Sequence, residues 1–585
     1  MERKRFLGGL LAAAGAPAAA RAVQANADLI VVGGTIHTVD GGYKSPEAFA
    51  VSAGRFSYVG SIAGAMALRG AATQVLDATG HTVLPGLIDA HLHLTRVGFN
   101  LSEVDLYHSY SFEQVVERTA AFARTSPDPW ILGDGWDQNL WQGQRFPTHA
   151  PLSAAIPDRP VALSRVDGHA VLANAKAMEI AGVDRSTPDP PGGRIFRDAA
   201  GNPTGVFLDS AQAIIYSRVP NPTRDQLVRA TRAAITECNR WGVTAVAEPG
   251  SNDAVIAAHT ELIERDEYSI RNYVMLSDDP NLIDAHLRGG IVDGAYDGRL
   301  WTRAIKMFAD GALGSRGAAL LAPYADDPKN LGLIVTPQSH VIEVTERALR
   351  AGFQVGVHAI GDRANRMVLD AYERALTGAG RPGDPRLRIE HVQVIDGEDL
   401  PRLSRLGIIP SMQTTHQISD MAWAEARLGP QRVLGAYAWR SLLDTGVIVA
   451  NGTDAPVESV NTLRTFHAAI TRQNEENEPA GGWYPKQKMT REEALASMTI
   501  WGAHANFQER LLGSITPGKY ADFVVMDRDW MSVAPEEIMQ TKILSTYFGG
   551  RRVYDGSNHD RVTLRPRRAR ACCDPHRPST GSPGR

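Results

Sequence analysis

Pro85-Gly86-Leu87-Ile88-Asp89-Ala90-His91-Leu92-His93 is the stretch on which the fold reading turns. An apolar run ends in His-x-His. Side chains alternate along a strand, so His91 and His93 point the same way. Two imidazoles on one face make half a metal site. The pattern returns downstream. Gly352-Phe-Gln-Val-Gly-Val-His358 and Leu387-Arg-Ile-Glu-His391 each read as an apolar strand ending in His. Val447-Ile-Val-Ala-Asn-Gly-Thr-Asp454 is a strand ending in Asp. One strand-terminal His is usually structural. Several of them, with an Asp, are a constellation.

Working outward, apolar β-rich runs alternate with helical patterns. The candidate strands are 82–88, 243–247, 270–275, 304–308, 354–357, 387–390, 407–410 and 447–450. Helices fit between most of them, such as 227–241 and 340–351. Eight β-then-α units imply a parallel (β/α)8 TIM-type barrel of the α/β class. The gap between the first two strands is far too long for one helix. Residues from about 125 to 225, rich in Pro, Gly and Trp, therefore read as a large insertion. Insertions after barrel strands belong on the catalytic face. Short β runs at 29–32, 48–51 and 56–60 are matched near the other end by 521–526, 543–547 and 551–554. Neither group can build its own core, so they are expected to pair into one small β-sandwich domain, 26–84 with 509–556. The barrel then takes 85–508.

Lys306 sits inside Arg303-Ala304-Ile305-Lys306-Met307-Phe308. Only nine of the 61 basic residues are lysine, which makes a lysine in an apolar parallel strand conspicuous. A buried ammonium is costly and cannot bind a cation. Burial favours the neutral amine, which can react with carbon dioxide. The resulting carbamate is anionic, has two oxygens and can bridge two metals; the other reading is a buried lysine paired with a carboxylate. The spacing suits a barrel. Lys306 to His358 is 52 residues and His358 to His391 is 33, one unit each, whereas His391 to Asp454 is 63, or two.

The composition, 43% hydrophobic and 22% charged over 585 residues, is that of a globular protein. A net charge of −4 argues against a nucleic-acid scaffold. Three cysteines can form neither a disulfide framework nor a thiolate zinc cluster, so any metal must be held by His, carboxylate or something rarer. Residues 1–25 join a basic start, a short Gly/Ala-rich apolar run and Ala20-Arg21-Ala22. They read as a cleaved export signal for a periplasmic or secreted protein, with a cytoplasmic basic terminus as the alternative. The run is too short for stable membrane insertion. Residues 557–585 read as an Arg/Pro/Ser-rich disordered tail.

The constellation resembles the amidohydrolase superfamily, and within it the amidohydrolase family 3 subgroup of N-substituted formamide deformylase and YtcJ-like proteins, over roughly residues 28–555. Gly133-Asp-Gly-Trp136-Asp, Val166-Asp-Gly-His169-Ala, Lys306 with Asp310-Gly311, His358 with Ile360-Gly361-Asp362, and the 513–522 segment are similar to motifs of that subgroup. The resemblance implies a hydrolase that cleaves a non-peptide C–N bond, such as an N-acyl or N-formyl amide, with a metal-activated water. It implies one divalent metal on His91, His93 and Asp454, a second on His358 and His391, and a carbamate made from carbon dioxide on Lys306 between them. Zinc is the expected ion. Asp454 takes the part of the proton shuttle. The expected partner is a small amide. The assembly stays open, a homodimer included. Trp130, Trp136 and Trp141 are expected to wall the substrate pocket, with His169 and His416 as polar contacts. Arg316 is expected to meet either an anionic group or a surface carboxylate. Two rivals remain: a mononuclear deaminase on the same fold, which would not need Lys306, and a non-enzymatic regulatory relative.

Overall fold

The computed structural model describes residues 26–42, 45–165, 170–190, 193–380 and 383–557. The expected export signal, His169 and the tail beyond Ser557 lie outside these residues. All eight expected barrel strands form. They are β1 (Leu87–Asp89), β2 (Val243–Ser251), β3 (Arg271–Ser277), β4 (Leu300–Phe308), β5 (Gln354–Ala359), β6 (Arg388–His391), β7 (Ile409–Met412) and β8 (Ala450–Asn451). Each pairs in parallel with its sequence neighbour, in one continuous order from β1 to β8. β8 returns to β1 through Ala90 N–H on the Asn451 carbonyl, 3.1 Å, and Asp454 N–H on the His91 carbonyl, 2.7 Å. The strands are nearly continuous runs of buried residues, as a sheet covered on both faces requires. Amphipathic helices supply the cover, including Arg224–Arg240, Gln338–Arg350 and Asp362–Gly378. The first of these starts at a capping box of Thr223 and Gln226.

The run expected as one strand over 82–88 is two. Thr82–Pro85 pairs antiparallel with Phe523–Met526, whereas Leu87–Asp89 pairs with β2. The break falls at Gly86, whose N–H bonds the Asp522 carbonyl. A Cβ there would lie 2.1 Å from Thr244 Oγ1, so only glycine lets the chain pass between the two sheets. Residue 407 also differs. It is a left-handed helix cap at φ 67° after Leu400–Leu406, and β7 begins two residues later.

Both ends of the chain meet in two small sheets. One orders Arg55–Gly60, Ala48–Ser52, Ala27–Val32 and Arg69–Asp77. The other orders Thr35–Ile36, Thr82–Pro85, Phe523–Met526, Ile543–Phe548 and Arg551–Asp555. Val31, Phe49, Phe56, Phe523 and Tyr547 share one core between them. Phe523 stacks on Tyr547 at 4.3 Å and meets the edge of Phe49 at 5.1 Å. Arg271 of β3 locks this unit to the barrel. Its guanidinium forks onto Asp522 at 2.6 and 3.0 Å and lies over the rings of Tyr520 and Phe548.

Between helix Leu94–Leu101, which follows β1, and Arg224–Arg240 stands a six-stranded sheet with its own core. It begins at Val104, earlier than composition suggested. Helix Phe112–Thr125, whose apolar period would serve a barrel helix equally well, packs there through Phe112 and Val115.

Candidate active site

The C-terminal ends of β1 and β8 are joined by a buried carboxylate. Asp89 Oδ1 accepts the N–H of His91 at 3.1 Å and of Thr453 at 3.0 Å, and its Oδ2 accepts the Thr453 hydroxyl at 2.6 Å. The approach is close. A Cβ on Gly452 would lie 2.5 Å from the His91 nitrogen. Beyond this staple, Asp454 Oδ1 faces His91 Nε2 at 3.4 Å and His93 Nε2 at 3.2 Å. Asp454 itself sits at φ 57°, and His391 at φ 79°. Left-handed backbone at non-glycine residues is strained and is characteristic of functional sites.

His91 is oriented from behind. Its Nδ1–H donates to Glu390 Oε2 at 2.6 Å, which leaves the Nε2 lone pair facing Asp454. Glu390 is clamped in turn by Arg388, Nε to Oε1 at 2.7 Å and Nη2 to Oε2 at 3.0 Å. Arg388 also donates to the Ala90 carbonyl, Ser411 and Asn506. Burial opposes ionisation of Glu390, but Arg388 and then His91 outweigh it and hold the carboxyl well below its usual range.

Across the barrel mouth, Lys306 of β4 is 1% exposed, with Nζ 3.4 Å from His91 Nε2. The His391 ring lies 4.9 Å from that of His91 and 4.6 Å from that of His358. His391 Nδ1–H donates to Gln413 Oε1 at 2.8 Å. His358 Nε2 approaches the Gly311 carbonyl and Asp310 Oδ1, both at 3.5 Å. Asp310 accepts backbone N–H bonds from Ala319, Ile360 and Gly361, which ties the loop after β4 to the loop after β5. His416, on helix Thr414–Asp420 after β7, brings Nε2 to 3.7 Å from Asp454 Oδ2.

These groups have the protonation states a cation needs. Burial, with Lys306 adding to it, pushes His91 down to about 4 and His358 down to about 3. Burial likewise holds His391 well below the imidazole range. Neutral imidazole is the form that ligates. Burial would raise Asp454, and its carboxyl is lowered only to the extent that a neighbouring imidazole, or a cation in its place, carries charge. Nitrogen and oxygen atoms of His91, His93 and Asp454 lie within 4.8 Å of one another, as do those of His391, His416 and Asp454. Asp454 Oδ1 accepts no well-formed hydrogen bond among the described residues, although two imidazole nitrogens face it. Imidazole nitrogens converging on a buried carboxylate oxygen that makes no hydrogen bond among the described residues fit a divalent metal.

The sequence profile of the amidohydrolase family matches residues 74–554. The chain belongs to the amidohydrolase family. This amidohydrolase is 33% identical to Protein LONG AFTER FAR-RED 3 of Arabidopsis thaliana, over 90% of this chain and 92% of that one. It is 32% identical to the putative amidohydrolase YtcJ of Bacillus subtilis (83% and 91%). It is 30% identical to the N-substituted formamide deformylase of Arthrobacter pascens (89% and 97%). An uncharacterized metal-dependent hydrolase from Pyrococcus furiosus superposes with a TM-score of 0.73 at 29% identity, covering 86% of this chain and all of that one. The match to the amidohydrolase family 3 subgroup therefore holds, and the amidohydrolase is a hydrolase.

His91, His93, Lys306, His358, His391, His416 and Asp454 thus meet in one cluster of the amidohydrolase barrel. Trp136 does not join them. It is fully buried in the core of the insertion, stacks on Trp141 at 6.0 Å, and gives its indole N–H to the Leu163 carbonyl. It therefore corrects the expectation of a substrate wall: its ring is used up inside the insertion. Trp141 packs in that same core, and Trp130 in a neighbouring one. Arg316 forms an ion pair with Asp326, the bland of its two readings. Sequence reasoning gave no role to Asp89, Arg388, Glu390 and Gln413, and named Asp310 only as part of a motif. For two of them a signal existed: Arg388 and Glu390 alternate within an otherwise apolar strand. No described helix of the amidohydrolase is long and apolar enough to cross a membrane.

Proposed function

We propose that the chain hydrolyses a non-peptide C–N bond, with an N-acyl or N-formyl amide as substrate. The observation that carries this reading is the convergence on Asp454 of His91 and His93 in one group and of His391 and His416 in another, with His91 and His391 each oriented by a partner behind it. The name of the deformylase relative supports the amide class.

On this reading His91, His93 and Asp454 would hold one divalent ion. His358 and His391 would hold another, with Lys306 between them as a carbamate. Zinc suits the imidazole-rich donor set. Bound ions supply acidification of water and charge that stabilises an oxyanion. The remaining steps belong to the protein. Asp454 takes a proton from the attacking water as its oxygen bonds the carbonyl carbon. The carbonyl π electrons move onto oxygen. Asp454 then delivers that proton to the leaving nitrogen as the C–N bond breaks, which yields a carboxylic acid and an amine.

The test is metal analysis of the purified protein together with a panel of N-formyl, N-acyl and cyclic amides. Release of free amine by metal-loaded protein is expected. Ammonia release from amino-heterocycles with one ion per chain would favour the mononuclear deaminase, and no turnover on any compound would reject the amide reading.

A further inference from the structure

Two neighbouring histidines, one at the end of β6 and one on the helix after β7, are held by two glutamines in opposite senses. His391 Nδ1 faces the Gln413 oxygen at 2.8 Å, while the Gln413 amide nitrogen is turned to the Ser411 carbonyl at 3.4 Å. His391 therefore keeps its proton on Nδ1 and presents a bare Nε2. The His416 ring is nearly parallel, 5.9 Å away and tilted by 21°. Its Nδ1, however, faces the Gln393 amide nitrogen at 2.9 Å. That nitrogen is a donor, so Nδ1 accepts and the His416 proton must sit on Nε2. His416 is 3% exposed, and Nε2 makes no hydrogen bond among the described residues. It points to the Asp454 side of the site, 3.7 Å from Oδ2. A buried N–H that makes no hydrogen bond is costly to keep.

We propose that His416 is a catalytic hydrogen-bond donor and not a metal ligand: Gln393 fixes its tautomer so that Nε2–H meets the scissile carbonyl oxygen as that oxygen becomes an oxyanion. This rests on the amide-hydrolase reading above. No proton is transferred by His416. The electron pair that leaves the C=O bond is stabilised by the Nε2–H dipole and returns when the C–N bond breaks. Proximity alone would allow the opposite role, since His391, His416 and Asp454 also lie within metal-binding distance of one another. The tautomer decides, because a protonated Nε2 has no lone pair to give. Gln393 is a positioning residue, acting only through His416.

The experiment measures metal per chain, chelator-competition affinity, and kcat and KM separately. His416→Ala is expected to lower kcat by about 10²- to 10³-fold, the loss typical for one oxyanion donor, with wild-type metal content. His416→Gln, which keeps an N–H at similar reach, is expected to recover part of that. Gln393→Leu should lower kcat in the wild-type background and add nothing in the His416→Ala background, where a merely structural role would cost both equally. Gln393→Glu puts an acceptor behind Nδ1, moves the proton there and removes the Nε2 donor, so it should lower kcat as His416→Ala does. Loss of a metal equivalent in His416→Ala, or unaltered kcat in either His416→Ala or Gln393→Glu, would overturn the proposal. If metal-loaded wild type hydrolyses none of the amide panel, it is the amide reading that fails, and the metal measurement on His416→Ala still decides between donor and ligand.

Discussion

His91 Nδ1 and Glu390 Oε2 are 2.6 Å apart and fully buried, and this one bond determines which nitrogen of His91 faces the barrel mouth. It links the first strand of the barrel to the sixth across 299 residues of chain. The link is electrostatic as well as geometric. Glu390 is ionised because Arg388 forks onto it, and an ionised acceptor raises the electron density His91 offers on its other nitrogen.

Removing the Glu390 charge should therefore weaken metal binding without removing a ligand. Glu390→Gln keeps the shape and is expected to cost about 10- to 100-fold in metal affinity by chelator competition. Glu390→Ala leaves Arg388 buried and unpaired, and should destabilise the fold by about 3–5 kcal/mol in denaturant titration. Equal metal affinity in Glu390→Gln and wild type would show that the His91–Glu390 bond is structural only.

Metal removal should be visible in stability as well as in activity. The imidazoles and Asp454 lie close enough together to hold a cation, and any ion bound only by the folded state stabilises it by mass action. Exhaustive chelation should abolish hydrolysis and lower Tm. Readdition of zinc should restore both. An unchanged Tm after demonstrated metal loss would contradict the assignment of His91, His93 and Asp454 as a tight site.

The strands were legible mostly as apolar runs, and four of them, β1, β5, β6 and β8, lead into His91, His358, His391 and Asp454. Lys306 stood out as a lysine inside such a run. The split of 82–88 was not legible. Thr-Val-Leu-Pro and Leu-Ile-Asp are equally apolar, and only the crowding of Gly86 by Thr244 and Asp522 separates them. Glu390 showed only as a charge alternating with Arg388, and Gln413 not at all, because a supporting residue has no motif of its own. Its role appears only when a distant imidazole is placed beside it. Trp136 misled because an aromatic residue in an insertion looks the same in sequence whether it walls a pocket or fills a core.

That correction can be checked. Trp136→Phe removes one buried hydrogen bond, to the Leu163 carbonyl, and should cost about 1 kcal/mol of stability or somewhat more. Its kcat and KM should match wild type on any amide that is turned over. A KM change specific to bulky substrates, at unchanged stability, would return Trp136 to the pocket wall.

Lys306 separates the two enzyme readings. Its Nζ is buried 3.4 Å from a bare imidazole nitrogen, beside the cluster that holds His358 and His391. If it carries a carbamate, Lys306→Ala removes an anionic bridge and leaves a gap at the end of β4. Hydrolysis should fall by orders of magnitude, and metal content should drop from two ions toward one. Acetate or propionate could partly refill the gap and return some rate, because each presents two oxygens on one carbon as the carbamate does. Lys306→Arg should not help, since guanidinium stays cationic and forms no carbamate. If Lys306 is a structural amine, the alanine variant would lose stability and keep its metal. Wild-type metal stoichiometry with near wild-type turnover in Lys306→Ala would refute the bridge and favour a mononuclear site built on His91, His93 and Asp454.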